Sequence, residues 1–246
     1  MADKNFSKEL LEHLKKEHQV TPVSQYLKEI VYGGTDGIVT TFAVVGGFAG
    51  AQNTVNSLPI LVVLLFGTAN LFADGASMGL SNFLSMRSEQ DVYNSERRKE
   101  SREIKNNPKA EFTESIDILM HHGYSKKDAV QLATLYSKNE RYWTDFMMHY
   151  ELELPNPETE NPYIAGLVTF AAFVIFGFIP LIPYVFLRGF PLFTLSVIFT
   201  FLALLLLGLL RWRVTKESPM RSIGEILFLG GVSAGIAYFI GTLFRR

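Results

Sequence analysis

The chain has 246 residues, of which 48% are hydrophobic, and its formal net charge is −1. This near-neutral balance gives no electrostatic basis for binding nucleic acid. The absence of cysteine excludes disulfides and thiolate zinc sites, so a metal site must use carboxylate, thioether, imidazole or backbone oxygen.

The first 29 residues form the first predicted element, an amphipathic helix. Apolar residues recur at roughly helical spacing among lysines and glutamates between positions 6 and 29. Such a helix lies either on a membrane surface or against a partner protein, and the sequence favours neither. Because this segment is charged and has no continuous apolar stretch, we expect no cleaved signal peptide.

Five apolar stretches follow, each long enough to cross a bilayer as a helix. They cover residues 30–51, 58–86, 163–187, 189–210 and 223–244. Pro180 and Pro183 predict a kink or an end in the third stretch. In the fifth, the spacing of Gly231 and Gly235 suits close contact between helices.

The predicted fold class is therefore all-α. The chain is expected to be an integral membrane protein with five transmembrane helices, in contact with lipid, and a helical insert between helices 2 and 3. The predicted domains are 1–29 for the amphipathic helix, 30–86 for transmembrane helices 1 and 2, 87–160 for the insert, and 161–246 for helices 3 to 5.

The basic residues of the short loops predict the orientation. The loop between the fourth and fifth stretches contains Arg211, Arg213, Lys216 and Arg221, whereas the loop at 52–57 contains no base. With five crossings, the basic loop lies on the same side as the N-terminus and the insert, so all three are expected in the cytoplasm. The insert itself is predicted to form helices at about 84–106, 110–122 and 126–152, the last interrupted near 137–139.

Two acids lie in otherwise apolar stretches, Asp36 in the first and Asp74 in the second. A carboxylate in hydrocarbon usually faces a bundle interior, a pore or a proton relay, and a structural aspartate between glycines is the alternative. Asn70, Asp74 and Met78 follow one another at four-residue spacing and share one helix face. Carboxylate with thioether suits a borderline divalent transition-metal ion better than Ca²⁺ or Mg²⁺, although a lone methionine in a membrane is more often a packing residue.

The insert contains a second set of candidate ligands, spaced at three and four residues along its helices. The set comprises Glu96, Glu100, Glu103, Glu111 and Glu114, followed by Met147, Met148, His149 and Glu151. Clustered like charges repel one another unless a cation or basic residues lie between them. From spacing alone, a solvated surface neutralised by neighbouring Arg and Lys is the favoured interpretation of the glutamates.

Four segments, in order along nearly the whole chain, resemble motifs of the vacuolar iron transporter family. They are GGTDGIVTTFAVVGGFAGA, ADGASMGLSNFLSMRSEQDVY, WTDFMMHYELEL and FGFIPLIPY. The resemblance implies a homodimer with its ion path at the subunit interface. It also implies export of Fe²⁺ and related ions from the cytoplasm, driven by proton exchange. The chain has no P-loop pattern, so we expect no ATP-driven step. As a transporter, it is expected to have no enzymatic activity and no resident cofactor.

The resemblance also implies which residues bind the ion. Asp36 and Met78 correspond to the family's transmembrane ligands. The ligands of its cytoplasmic metal-binding domain correspond to Glu100, Glu103, Glu111, Glu114, Met147, Met148 and Glu151. This agreement reverses the interpretation of the glutamates as a neutralised surface. One position differs, because plant and fungal members have a glutamate where this chain has Asn70. We expect Asp74, one turn later, to take over the proton or ion relay.

Fe²⁺ is the expected cargo and Mn²⁺ its main competitor, with Co²⁺ and Zn²⁺ as further candidates, because carboxylate-rich sites discriminate poorly among these ions. A membrane-bound metal sensor or storage protein is one alternative function. A di-iron carboxylate oxidase is another, although the insert glutamates form no Glu-x-x-His pair. The expected location is a prokaryotic plasma membrane, with a vacuolar membrane as the alternative.

Overall fold

The computed structural model describes residues 21–51, 60–157, 161–187 and 190–244. Within these ranges the chain forms helices and loops and no strand, which confirms the all-α prediction. Most of the predicted N-terminal amphipathic helix lies outside the described residues. Its described end contains one short helix, α1 (Pro22–Gln25).

The other helices follow in chain order. They are α2 (Leu27–Ala51), α3 (Ile60–Asn106), α4 (Pro108–His121), α5 (Lys126–Tyr136), α6 (Glu140–Tyr150), α7 (Pro162–Phe178), α8 (Ile182–Phe186), α9 (Leu192–Thr215) and α10 (Pro219–Leu243). The chain divides into two compact units, which are described separately below. The first comprises Met1–Asn82 and Tyr163–Arg246, and the second comprises Phe83–Pro162.

Four of the described helical segments are long and apolar enough to cross a membrane. They are α3, Pro162–Phe186, α9 and α10. The first predicted crossing corresponds to α2, which is long enough but falls outside this group, since Asp36 and its many glycines and threonines make it less apolar. The count of five crossings, which requires α2, and the cytoplasmic placement of the insert therefore stay predictions.

The predicted kink in the third stretch is confirmed. Helix α7 ends at Phe178, a 3₁₀ turn covers Ile179–Leu181, and α8 then begins. Pro180 and Pro183 each lie at the start of the element that follows the change, where a missing backbone N–H is tolerated. Ser196 of α9 donates a hydrogen bond of 2.7 Å to the carbonyl oxygen of Pro180, which satisfies a buried acceptor at the bend.

Two helices extend beyond the apolar stretches that were predicted to cross the bilayer. Helix α9 continues past residue 210 to Thr215, because arginine is a good helix former and Arg211 and Arg213 extend the helix. It ends at Lys216, whose left-handed backbone (φ 55°) is typical of a helix C-terminus. Helix α10 begins at Pro219, before the crossing predicted at 223–244, and proline is well suited to the first turn of a helix.

Glycines hold the helices of the first unit close together. A methyl group added at Gly177 of α7 would lie 2.6 Å from the carbonyl oxygen of Gly37 in α2. One added at Gly79 of α3 would lie 2.7 Å from the carbonyl oxygen of Gly166 in α7. These backbones therefore approach each other at distances that a side chain would prevent.

The contact predicted for Gly231 and Gly235 is not made by the described residues. A Cβ atom at either position would meet no atom within 4 Å. Gly230 and Gly241 make the close contacts of α10 instead, against Leu204 and the backbone of Gly47. Adjacent helical residues point about 100° apart, so choosing Gly231 rather than Gly230 selects a different face.

The second unit contains the end of α3 and helices α4, α5 and α6. As predicted, α3 continues without a break to Asn106, and the interruption at 137–139 separates α5 from α6. Ser125 and Asn139 cap these two helices by accepting the backbone N–H groups of Asp128 and Tyr142. The buried core consists of Ile104, Leu119, Ala129, Ala133, Trp143, Phe146 and Met147.

Candidate metal site

Three glutamates of the second unit converge from three helices. Glu100 lies on α3, Glu111 in the first turn of α4, and Glu151 directly after the last turn of α6. Their carboxylate oxygens lie within 4.8 Å of one another. The break at Asn107 and Pro108 makes this possible, because it ends α3 and starts α4 in a new direction. We call Glu100, Glu111 and Glu151 the carboxylate cluster.

Two members of the carboxylate cluster are almost fully buried, Glu100 with 3% and Glu111 with 6% of its surface exposed. Oε1 of Glu100 and Oε2 of Glu111 accept no hydrogen bond from an N–H or hydroxyl group of the described residues, and the two carboxyl groups bond to each other only when one of them holds a proton. A buried carboxylate oxygen without a partner is costly. A divalent cation would satisfy both oxygens and neutralise the repulsion between them.

Burial and mutual repulsion raise the pKa values of the carboxylate cluster. For Glu100, burial and the nearby carboxylates of Glu151 and Glu111 raise the pKa to about 8. For Glu151, partial burial and the charge of Glu114 raise the pKa to about 7. Burial also raises the pKa of Glu111. At neutral pH the cluster therefore holds protons that a metal ion must displace.

The other two predicted glutamates lie around this cluster. Glu103 and Glu114 are exposed, and their charges contribute to the raised pKa of Glu151. Glu96 is directed elsewhere, because its carboxylate pairs with Lys99 at 2.6 Å.

The basic residues of the insert do not neutralise the cluster. Among the described ion pairs of this unit, Arg97 contacts Asp145 at 2.8 Å and Lys105 contacts Glu140 at 2.8 Å. The remaining pair is the one between Lys99 and Glu96. The interpretation as a charge-balanced surface is therefore unsupported for the buried glutamates.

Met147 and Met148 are fully buried on α6. Met147 lies one turn before Glu151 and packs into the apolar core, and its Sδ accepts a hydrogen bond from Ser115 Oγ at 3.3 Å. His149 is exposed and packs its ring edge-on against Tyr150. Sequence reasoning missed Ser115, although its position one turn after Glu111 places it on the same face of α4.

The first unit contains the predicted transmembrane residues. Asp36 is half-buried and lines a cavity of about 670 Å³ together with Lys28, Tyr32, Arg211 and other residues. Its carboxylate is close enough to that of Asp74 for the two charges to repel each other. Arg211 is already paired with Glu225 at 2.7 Å.

Asn70 and Met78 have different surroundings in this unit. Asn70 lines a second cavity of about 820 Å³. Met78 packs against an apolar cluster that includes Leu71 and Phe173. The charges of Asp36 and Asp74 are thus within electrostatic reach of each other, whereas the described contacts of Met78 are apolar.

The two cavities follow the same faces of α2 and α10. From α2 the lining residues include Tyr32, Asp36, Val39, Ala43, Gly47 and Ala51. From α10 and the residue that follows it they include Leu229, Ser233, Ala237, Ile240 and Phe244. Spacings of three and four residues place each series on one face of its helix. We call this lining the α2–α10 groove.

Comparison with known proteins gives a consistent result. The model of the VIT family matches residues 27–242. Vacuolar iron transporter 1 of Arabidopsis thaliana is 32% identical over 96% of this chain and 92% of its own length. The vacuolar iron transporter of Toxoplasma gondii is 32% identical over 94% of this chain and 78% of its own length. That of Plasmodium falciparum is 33% identical over 89% of this chain and 82% of its own length.

Proposed function

The chain belongs to the VIT family, and from this premise we propose that it moves Fe²⁺ and Mn²⁺ out of the cytoplasm in exchange for protons. Family membership makes it a metal-ion transporter rather than an enzyme. The cargo ion, the direction and the proton coupling are the proposed parts. The observation that supports them most strongly is the carboxylate cluster with its unpartnered buried oxygens.

In this proposal the carboxylate cluster collects the ion in the cytoplasm. Glu100, Glu111 and Glu151 provide the first oxygen ligands, and Glu103 and Glu114 attract cations towards them. Met147 and Met148 are the soft donors. Carboxylate with thioether favours Fe²⁺, Mn²⁺, Co²⁺ and Zn²⁺ over Mg²⁺ and Ca²⁺.

Across the membrane we propose a path that uses Asp36 and Met78. In this proposal α2 crosses the membrane as well, which brings the number of crossings to five. The supporting observation for a homodimer is the α2–α10 groove, which leaves Asp36 on an open face of a single subunit. An acid exposed to hydrocarbon is costly, so a second copy of the chain is the proposed cover. The ion would then pass between the two copies.

Asp74 is the proposed proton relay. Its carboxylate and that of Asp36 repel each other, so a proton or a metal ion at this pair relieves the repulsion. Exchange of one for the other couples the two flows. Asn70, the neighbour of Asp74 by one turn, has no charge and can only donate or accept hydrogen bonds.

The proposed location is a prokaryotic plasma membrane, based on the Asn70 difference. A vacuolar membrane is the alternative, and the names of the relatives favour it for those proteins. Expression of a fluorescently tagged chain in its own cells would distinguish the two.

The deciding experiment is metal flux into proteoliposomes that contain a metal-quenched dye and carry a pH gradient. The proposal expects quenching by Fe²⁺ and Mn²⁺ that accelerates with the gradient and is lost in Asp36→Ala. A protein that binds Fe²⁺ but moves none would instead be a sensor or a storage protein. Oxygen consumption on addition of Fe²⁺ would support the oxidase alternative.

A further inference from the structure

Ser115 and Met147 form a contact one helical turn from the carboxylate cluster. Ser115 follows Glu111 by four residues on α4, and Met147 precedes Glu151 by four residues on α6. Ser115 Oγ and Met147 Sδ are 3.3 Å apart, and both residues are fully buried. The same two helices therefore present a pair of carboxylates and, in the adjacent layer, a hydroxyl against a thioether.

The Ser115 hydroxyl has more partners than it can satisfy at once. Its oxygen accepts the indole N–H of Trp143 at 2.8 Å. Its single proton has two acceptors within reach, the carbonyl oxygen of Glu111 at 2.8 Å and Met147 Sδ at 3.3 Å. Because a hydroxyl has one proton, it donates to only one of them at a time. With the oxygen held by Trp143, rotation of the proton alone exchanges the two hydrogen bonds.

This exchange decides what Met147 offers to a cation. When the Ser115 hydroxyl donates to the carbonyl oxygen of Glu111, both sulfur lone pairs of Met147 are free. When it donates to the sulfur instead, one lone pair is occupied and the thioether is held in place. Ser115 thus keeps the sulfur in a defined position while leaving it able to bind an ion.

We propose that Ser115 is a positioning residue that aligns the Met147 thioether and so sets the preference of the carboxylate cluster for softer ions. This inference rests on the proposed function, in particular on metal binding at Glu100, Glu111 and Glu151. Thioether sulfur distinguishes Co²⁺ and Fe²⁺ from the harder Mn²⁺, whereas carboxylates bind all three. A thioether that Ser115 no longer holds in place can turn away from the ion, and this loss should weaken binding of Co²⁺ more than binding of Mn²⁺.

The test is calorimetric titration of Co²⁺ and of Mn²⁺ into the full-length protein in detergent. In Ser115→Ala, the Kd for Co²⁺ should rise about threefold to tenfold, the effect of one hydrogen bond, while that for Mn²⁺ changes less than about twofold. In a Met147→Leu background, Ser115→Ala should leave the Co²⁺/Mn²⁺ ratio unchanged, because the two residues act through one contact. Trp143→Phe, which keeps the hydroxyl but frees its oxygen, should shift the ratio in the same direction and serves as the second variant if Ser115→Ala does not fold.

Equal weakening of both ions would assign Ser115 a purely structural role and overturn the inference. The same ratio change in the Met147→Leu background would overturn it too. The proposed function fails in a distinguishable way. In that case the unmodified protein binds neither ion, or Glu111→Gln binds both as well as the unmodified protein does.

Discussion

The carboxylates of Glu100 and Glu111 meet across the break between α3 and α4, with oxygen atoms within 4.8 Å. Each is buried, and each has an oxygen that accepts no hydrogen bond from an N–H or hydroxyl group of the described residues. Above about pH 8, where Glu100 loses its proton, two like charges in this position destabilise the metal-free fold and create a place for a cation. The stability of this unit, its dependence on pH and its affinity for metal should therefore all depend on this pair of carboxylates.

Glu111→Gln should stabilise the metal-free protein and weaken its metal binding. At a pH above about 8, where both carboxylates are charged, removing one charge from the buried pair should raise the free energy of unfolding by about 1 kcal/mol. Co²⁺ affinity should fall at least about tenfold, because one charged ligand is lost. Thermal unfolding with and without Co²⁺ measures both effects. The exposed Asp117 provides the matched control, Asp117→Asn, which should change neither. Equal effects of the two substitutions would contradict a special role for Glu111.

The metal-free protein should lose stability as the pH rises from 4.5 to about 8. The lower limit is the ordinary pKa of a glutamate, and the upper limit is the pKa of Glu100 in the folded state. Because burial raises this pKa and that of Glu151, the folded state holds more protons than the unfolded state in this window. Stability therefore falls with rising pH. Melting temperatures in a chelator across this range would check the sign, and Glu111→Gln should flatten the slope. A melting temperature that rises with pH would contradict it.

Metal binding should show the opposite dependence on pH. A cation displaces the protons of the carboxylate cluster, so its affinity should increase from pH 6 to about 8, with release of protons to the buffer. Calorimetry of Co²⁺ binding in two buffers with different ionisation enthalpies measures the number of protons released. A count of zero at pH 7 would show that the ion binds elsewhere.

Asp74→Asn should uncouple metal flux from the pH gradient without affecting the carboxylate cluster. The Asp74 charge repels that of Asp36, so its loss removes the proposed exchange of proton for metal. In proteoliposomes the variant should show flux that no longer responds to the gradient, while Co²⁺ affinity in detergent stays normal. Adding Asn70→Glu should partly restore the response, since it returns an acid about 6 Å along the same helix face. Gradient-driven flux that persists in Asp74→Asn would remove this role.

A second copy of the chain should lie on the α2–α10 groove. The chain has no cysteine, so a single introduced cysteine reports one position without further changes. Ala43→Cys, in the groove, should form a disulfide-linked dimer on mild oxidation in membranes. Ile175→Cys, on an exposed position of α7, should not. Cross-linking of Ile175→Cys alone would place the interface on a different face.

Gly177→Ala should be strongly destabilising, whereas Gly224→Ala should be nearly neutral. An added methyl group would lie 2.6 Å from the carbonyl oxygen of Gly37 in the first case and would meet no atom within 4 Å in the second. Helices α2 and α7 would have to separate, at a cost of about 2 kcal/mol or more. Thermal unfolding of the two variants in one detergent makes the comparison. Equal melting temperatures would show that this contact contributes little.

Much of the fold could be predicted, because the length of an apolar stretch and the position of a proline determine local helix formation directly from the sequence. The kink at Pro180 and the break at Pro108 follow from the missing N–H and fixed φ of proline. Helix ends next to Arg211 were harder to place, because a charged residue can continue a helix as readily as it can begin a loop. Predicting that Gly230 makes the close contact of α10 would have required knowing which face of α10 meets α9, and this depends on tertiary packing.

The carboxylate cluster was predictable in composition but not in geometry. Spacing along single helices groups Glu100 with Glu103 and Glu111 with Glu114, whereas the structure groups Glu100 with Glu111 and Glu151 across three helices. Spacing places residues on faces, but it does not indicate which faces meet. Ser115 escaped notice because a buried serine has no distinguishing sequence pattern, and its role depends on contacts with Trp143 and Met147.

The burial of Trp143 gives this protein an internal optical reporter. The chain has two tryptophans, Trp143 in the core of the second unit and the more exposed Trp212. Replacing Trp212 with phenylalanine would leave one indole, hydrogen-bonded to Ser115, whose emission responds to any rearrangement of that contact. Ion arrival at the insert could then be timed by stopped-flow fluorescence in the unlabelled protein, separately from passage across the bilayer.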